Sequence, residues 1–336
     1  MVGRLLATLA AIAVLAVLAI ATWPQLLGLE RTVVIAQVTA LRGLIVAIGA
    51  ALVILAVVIA LASPRRRGAM AAFALVLAIL VGVNVAVLAV RGTGGPAVPA
   101  AGSGEITVLS WNTYGGAPGA DGIARLALDR GADVIALPET TEEDADAVAA
   151  ILASAGRPMQ VFTVALDHIS PARSTSLLVS ESLGAYRLDE TAGTTPRIPS
   201  VVAVPVTGSG PTLVAAHPVA PIPDYIGDWH LGLDWVAARC EGTDTILAGD
   251  LNATLDHLEG LAPGPGELGR CTDAARTVGA AAVGTWPTLL PTLLGAPIDH
   301  VLTTPDWETV GFEVITSADD SGSDHRPVLA VVRPAA

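Results

Sequence analysis

Three long apolar runs open the chain, at about residues 5–23, 43–62 and 69–90, each rich in Leu, Val, Ala and Ile and free of internal charge. Each is long enough to cross a bilayer. A soluble core helix can be this apolar once, but three in succession predict a membrane anchor over residues 1–91 with three transmembrane helices. Arg4 ahead of the first run also fits a signal peptide, which would leave two spans if cleaved. Residues 92–104, rich in Gly, Pro, Ala and Ser, have no hydrophobic periodicity and read as a flexible linker. From 105 to 336 the pattern changes to short apolar stretches broken by turn residues. Strands are expected at 105–112, 134–137, 161–165, 176–180, 201–206, 212–216, 246–248, 313–316 and 328–332, and helices at 121–130, 142–154 and 228–240. Many strands with interspersed helices indicate an α/β or α+β sandwich of two packed sheets.

Charge divides the chain at the same place. Residues 1–100 hold seven Arg against one acid, Glu30, a balance of +6, and the remainder holds eleven Arg against thirty acids, −19. There is no Lys. Arg65, Arg66 and Arg67 lie between the second and third runs, on the same side as Arg4. They outweigh Arg31, Arg42 and Arg91, so the N-terminus is expected in the cytoplasm and everything after residue 91 outside the cell membrane. A domain this acidic repels a long polyanion, whose binding rests on several Arg or Lys contacts to phosphate. The only cysteines, Cys240 and Cys271, fall in the domain placed outside, where one structural disulfide is expected and no zinc spacing is present.

Candidate chemistry sits at strand ends: Asn112, Glu139, His217, Asp250, Asn252, Asp299, Asp324 and His325. Asp250 and Asn252 stand two positions apart, so in extended backbone both side chains face one way; the same Gly249-Asp250-Leu251-Asn252 sequence also suits a turn. His300 is expected to pack at its strand, and His168, His230 and His257 at the surface or in packing. Trp286 suits either a substrate mouth or the core.

Taken in order, Trp111-Asn112, Pro138-Glu139, His217, Gly249-Asp250-Leu251-Asn252, Ile298-Asp299-His300 and Ser323-Asp324-His325-Arg326-Pro327 resemble the motifs of the endonuclease/exonuclease/phosphatase (DNase I-like) superfamily. The resemblance covers roughly residues 105–333 and implies a four-layer α/β/β/α sandwich. It implies Mg²⁺ or Mn²⁺ held by Glu139, Asn112 and Asp324. It further implies Asp250 acting on the attacking water, Asn252 and His217 on phosphoryl oxygens, and His325, oriented by Asp299, on the phosphoryl or leaving oxygen. Pro218 departs from the residue usual after this His. Nor does the chain carry a counterpart of the second Glu–His pair of DNase-like nucleases, or a basic loop for a DNA groove.

The function expected is a membrane-anchored, extracytoplasmic, metal-dependent phosphoesterase cleaving phosphodiesters or phosphomonoesters. A small molecule or lipid headgroup is favoured over nucleic acid. The alternatives are an extracellular nuclease acting on DNA and a catalytically silent envelope module of the same fold.

Overall fold

The computed structural model describes residues 16, 18–20, 22–95, 98–166, 170, 172–208 and 210–335. About two thirds of the first apolar run, residues 5–15, 17 and 21, lies outside the described residues, as does His168. The later two runs form helices α2 (Arg42–Ala62) and α3 (Arg67–Arg91), preceded by a short helix α1 (Ile35–Ala40). Both long helices are apolar enough to cross a membrane, by length and composition. Much of their surface faces outward and is apolar, including Ile54, Leu55, Leu61, Leu75 and Ile79.

The segment expected to run free is held at its start. Ala281 and Ala282 donate to the carbonyls of Arg91 and Gly92 at 3.0 and 2.9 Å, and Gly94 N donates to Gly279 O at 3.1 Å. Gly92 has φ +77°, and a Cβ there would collide with the Gly279 backbone. The glycine that suggested a linker instead permits two backbones to meet.

The rest is a two-sheet sandwich, built from β1 (Ile106–Ser110), α4 (Gly119–Arg130), β2 (Val134–Pro138), α5 (Glu142–Ser154), β3 (Met159–Ala165), β4 (Ser174–Ser180), β5 (Tyr186–Leu188), β6 (Val201–Pro205), β7 (Thr212–Ala216), α6 (Ile226–Arg239), β8 (Thr245–Asp250), α7 (Leu255–Leu258), β9 (Thr272–Asp273), α8 (Ala274–Thr277), β10 (Asp299–Thr303), β11 (Trp307–Val314) and β12 (Val328–Pro334). One sheet runs β11-β12-β1-β2-β4-β3 and the other β5-β6-β7-β8-β10-β9. Central strands are apolar on both faces because both are covered. Val108, Val134, Ala136, Leu177 and Val179 point between the sheets, whereas Leu109, Ile135, Leu137 and Leu178 meet Ile123, Ala127, Val148 and Leu152 of α4 and α5. On the other side α6 contributes buried Trp229, Leu233 and Val236. Cys240, just after α6, is disulfide-bonded to Cys271, Cα–Cα 5.2 Å.

Topology places the chemistry. β1 and β2 are parallel, as are β7 and β8, so the C-terminal ends of each pair share an edge. β12 runs antiparallel to β1, and β10 to β8, so their starts lie at that same edge. The motif residues therefore end, begin or flank strands at one rim of the sandwich. The strand expected at 313–316 begins earlier, at Trp307, since Glu308, Glu313 and a bulge between Thr309 and Gly311 mask an edge strand. β5 and β9 are too short to show a periodicity.

Candidate active site

Asn112 follows β1, and its amide bridges the two sheets: Nδ2 donates to Glu139 Oε1 at 3.2 Å and to Asp250 Oδ2 at 3.0 Å. Its Oδ1 accepts from Tyr114 N at 3.0 Å. Glu139 follows β2 with φ +57°, and Asn252 follows β8 with φ +48°. Non-Gly residues hold this left-handed conformation only where their surroundings enforce it. Asp250 accepts from Asn252 N at 2.8 Å and from Asn252 Nδ2 at 3.2 Å, and Asn252 Nδ2 also donates to Pro218 O at 3.0 Å. The pair forms the turn rather than a continued strand, and the Asn252 amide reaches the Asp250 carboxylate across that turn.

Asp299 stands opposite Asp250 in the β8–β10 register. Its Oδ2 accepts from His325 Nδ1 at 2.9 Å. Its backbone N–H donates to Thr285 Oγ1 at 3.2 Å, as does that of Ile298 at 3.1 Å. His325 Nε2 is 3.7 Å from Asp250 Oδ2 and 4.0 Å from Asp324 Oδ1. His217 Nε2 lies 3.6 Å from Asp250 Oδ2 and 3.9 Å from Glu139 Oε1. The eight residues that the sequence singled out are together at one rim. Asp324 is the most open of them, and Trp286 Nε1 donates to its Oδ2 at 2.9 Å, which puts the half-buried indole at the mouth.

Electrostatics separates their roles. Burial raises the Glu139 carboxyl to about 7 against the Asn112 hydrogen bond, with Asp250 adding to the rise. Asp250 is raised too, by burial first. Burial lowers His217 to about 4, so its ring is neutral at pH 7. Burial opposes charge on His325 as well, but the Asp299 and Asp250 carboxylates outweigh it and push that imidazole up to about 10. One rim therefore carries a neutral and a cationic imidazole.

The same rim suits a divalent cation. Asp250, Asp299 and His325 bring one potential ligand atom each within 4.8 Å of one another, but His325 as the imidazolium holds no metal, which leaves the oxygen donors around it for a cation. Asp299 Oδ1 and Asp324 Oδ1 are buried without a hydrogen-bond partner, and a cation would offset the burial, and after it the Asp250 charge, that raise Glu139. Hard oxygen donors of this kind fit Mg²⁺ or Mn²⁺. Asn112 turns its nitrogen, not its oxygen, toward the carboxylates, so ligation through that oxygen requires the amide to turn over.

A model of the endonuclease/exonuclease/phosphatase family matches residues 109–325. The chain belongs to that family. It is accordingly a hydrolase acting on phosphate ester bonds, in a family that is divalent-metal dependent. Similar solved structures include an endonuclease/exonuclease/phosphatase from Beutenbergia cavernae, 20% identical over 68% of this chain and 72% of that one, with a TM-score of 0.50. Another is D. rerio TDP2 complexed with single-strand DNA product, 18% identical over 68% and 99%, TM-score 0.52. A third, an endonuclease/exonuclease/phosphatase from Bacteroides vulgatus, is 13% identical over 69% and 99%, TM-score 0.50. At these identities the likeness concerns the fold alone. No curated protein sequence matches the chain.

Ser323 and Arg326 stand in the last motif without an assigned role, and the structure shows what each one holds. Ser323 Oγ donates to Asn112 O at 2.7 Å and accepts from His325 N at 3.1 Å. Buried Arg326 grips Asp319 and the carbonyls of Gly284, Pro287, Thr288 and Leu290, which fixes the loop carrying Trp286. His300 packs as expected, pairing with Asp273 at 2.7 Å. Asp256 is the larger omission. It is buried, and it accepts from Arg42 at 2.7 and 2.8 Å, from Arg91 at 2.8 Å and from Gln25 at 2.8 Å. The signal was available: Arg42 and Arg91 each flank an apolar span, and charges beside such spans need partners.

Proposed function

We propose that the protein is a membrane-anchored phosphoesterase whose rim residues direct water onto phosphorus in line with the departing ester oxygen. The observation that carries the reading is the Asp250–His325–Asp299 cluster, gathered with His217, Asn112 and Glu139 at the junction of the two sheets. Asp250, buried and held by Asn252, accepts the proton of the attacking water. His325 enters as the imidazolium, since Asp299 accepts from its Nδ1, and its Nε2–H donates to the charged or departing oxygen. Neutral His217 and the Asn252 amide donate to non-bridging phosphoryl oxygens as charge builds there. Glu139, with Asp324 and Asn112, would hold Mg²⁺ or Mn²⁺; when bound, the ion supplies positive charge to the phosphoryl and ester oxygens.

Anchoring and sidedness belong to the same proposal. Arg42 and Arg91 lie at the domain end of the helical hairpin, and Arg65, Arg66 and Arg67 at the other. Twenty-one residues of α2 separate those ends by roughly 30 Å. The positive-inside rule then puts the arginine turn in the cytoplasm and the domain outside, which agrees with a formed disulfide. The test is turnover of bis-p-nitrophenyl phosphate and p-nitrophenyl phosphate by the full chain in detergent, with Mg²⁺, Mn²⁺ or EDTA. Turnover that needs the metal and disappears in Asp250→Ala is expected. No turnover of either ester by folded, metal-bound protein would refute the catalytic reading.

A further inference from the structure

A cavity of about 310 Å³ lies between the anchor and the active-site rim. Its catalytic side is formed by Asn252, Trp286 and Ile298, and its opposite side by Ala40 and Leu41, with Ile222 at the edge. Asn252 holds Asp250, and Trp286 donates to Asp324, so one end of the cavity adjoins the active site. Ala40 and Leu41 immediately precede Arg42, the first residue of α2, so the other end is where the chain enters the bilayer.

The surroundings are apolar at that same level. Leu289 is 90% exposed and Leu293 51%, in the loop after Trp286. This loop touches the anchor, because a Cβ on Gly43 would collide with the Leu293 carbonyl. Ile222 is 43% exposed at the cavity edge. Leu26 and Leu27 are exposed beside Gln25, which bonds Asp256. Apolar side chains left bare at the start of a membrane-spanning helix are covered by lipid. A cavity that joins this collar to a phosphoesterase rim gives an amphiphile room for its polar and apolar parts at once.

Resting on the phosphoesterase reading above, we propose that the substrate is a membrane lipid phosphate ester, presented from the adjoining leaflet, with the first apolar segment of its tail in this cavity. Water adds to phosphorus and one P–O ester bond breaks. The departing oxygen takes a proton, leaving an alcohol and a phosphate ester with one ester bond fewer. Ala40, Leu41 and Ile222 then set specificity by measuring the apolar group next to the phosphate.

The experiment uses the full chain in detergent with Mg²⁺ and a series of p-nitrophenyl alkyl phosphates, methyl to butyl, short enough to stay in water. Each methylene that enters the cavity raises kcat/KM by about fourfold, so the series is expected to climb at least about tenfold in the wild type. Ala40→Trp fills the cavity and Ile222→Asp charges its edge, and in each the slope against chain length flattens. The slope within each variant is the readout, and the methyl ester reports whether that variant is folded and competent. A flat wild-type series with the methyl ester turned over would overturn the lipid inference and leave the phosphoesterase standing. A steep series surviving in both competent variants would also overturn it. Absence of turnover on every ester would instead remove the phosphoesterase reading on which it rests.

Discussion

Replacing Asp256 with Ala should loosen the whole molecule, because this carboxylate joins the apolar helical hairpin to the two-sheet sandwich. Its side chain is 3% exposed, and those of Arg42 and Arg91 are 4% and 12% exposed. Burial alone would raise the Asp256 carboxyl, but the two guanidiniums outweigh it and hold it well below the usual carboxylate range. Removing the carboxylate leaves both cations buried without their shared counter-charge; Arg42 keeps only Thr22 O and Asn84 Oδ1, at 2.8 and 2.7 Å. Breaking a buried pair from one side costs about 3–5 kcal/mol, a fall in thermal midpoint of roughly 10 °C.

The assay is thermal unfolding of the full chain in detergent, followed by tryptophan fluorescence, for Asp256→Ala, Arg42→Ala and the double variant. Arg42→Ala leaves Asp256 its bonds to Arg91 and Gln25, so it should cost less. The double variant should lose less than the sum of the singles, by about 2 kcal/mol. The sign with pH follows from a depressed carboxyl: its stabilisation is complete above the ordinary Asp value and is lost only as pH falls below it. The cost of Asp256→Ala should therefore be equal at pH 7 and pH 5. A midpoint close to wild type, or strict additivity, would refute the view that this cluster holds the two parts together.

Other outcomes are open to direct measurement. Asp299→Asn should reduce kcat by about tenfold to a hundredfold and move the alkaline limb of the pH–kcat profile down, since Asp299 helps to push His325 up to about 10; an unmoved limb contradicts the pairing. His257 is buried and lowered to about 4 by that burial; its Nδ1 accepts from Thr254 N at 2.8 Å and its Nε2 meets Ala36 O at 3.1 Å. Its protonation should therefore cost up to about 3 kcal/mol of stability as pH falls from 6.5 to 4, a contribution that His257→Gln should remove while that of His217, lowered in the same way, remains. Reducing the Cys240–Cys271 bond, which closes a separation of 31 residues, should cost about 3–4 kcal/mol in chemical denaturation with and without reductant.

The residues that touch chemistry were legible in the sequence because each stands beside an apolar strand and is unlike its neighbours. Ile246, Leu247 and Ala248 could only be a buried strand, and Asp250 at its end had no packing reason to be charged. A helix with one buried face was equally plain: α5 runs Glu142–Ser154 as its pattern suggested. What stayed hidden depends on partners far along the chain. Arg326 holds carbonyls up to 42 residues away, and its burial follows from those contacts and from nothing local. Asp256 belongs to no motif, and 214 residues separate it from Arg42. The Gly-rich segment after α3 failed for another reason, since the same glycines serve a free chain and a close backbone contact.

The charge of the domain bears on what reaches the rim. TDP2, crystallised with a single-strand DNA product, shares this fold at an identity that carries no substrate across. Here the residues after position 100 carry a balance of −19 without a single Lys. Each phosphate of a long strand approaching that surface adds repulsion, and counterion release offers little return where few cations contact the strand. A single phosphate group pays this penalty once, and His325 as the imidazolium meets it inside the rim. Apolar burial next to that phosphate adds binding that neither salt nor the acidic surface weakens. The two features favour the same substrate: one phosphate, carried on an apolar body.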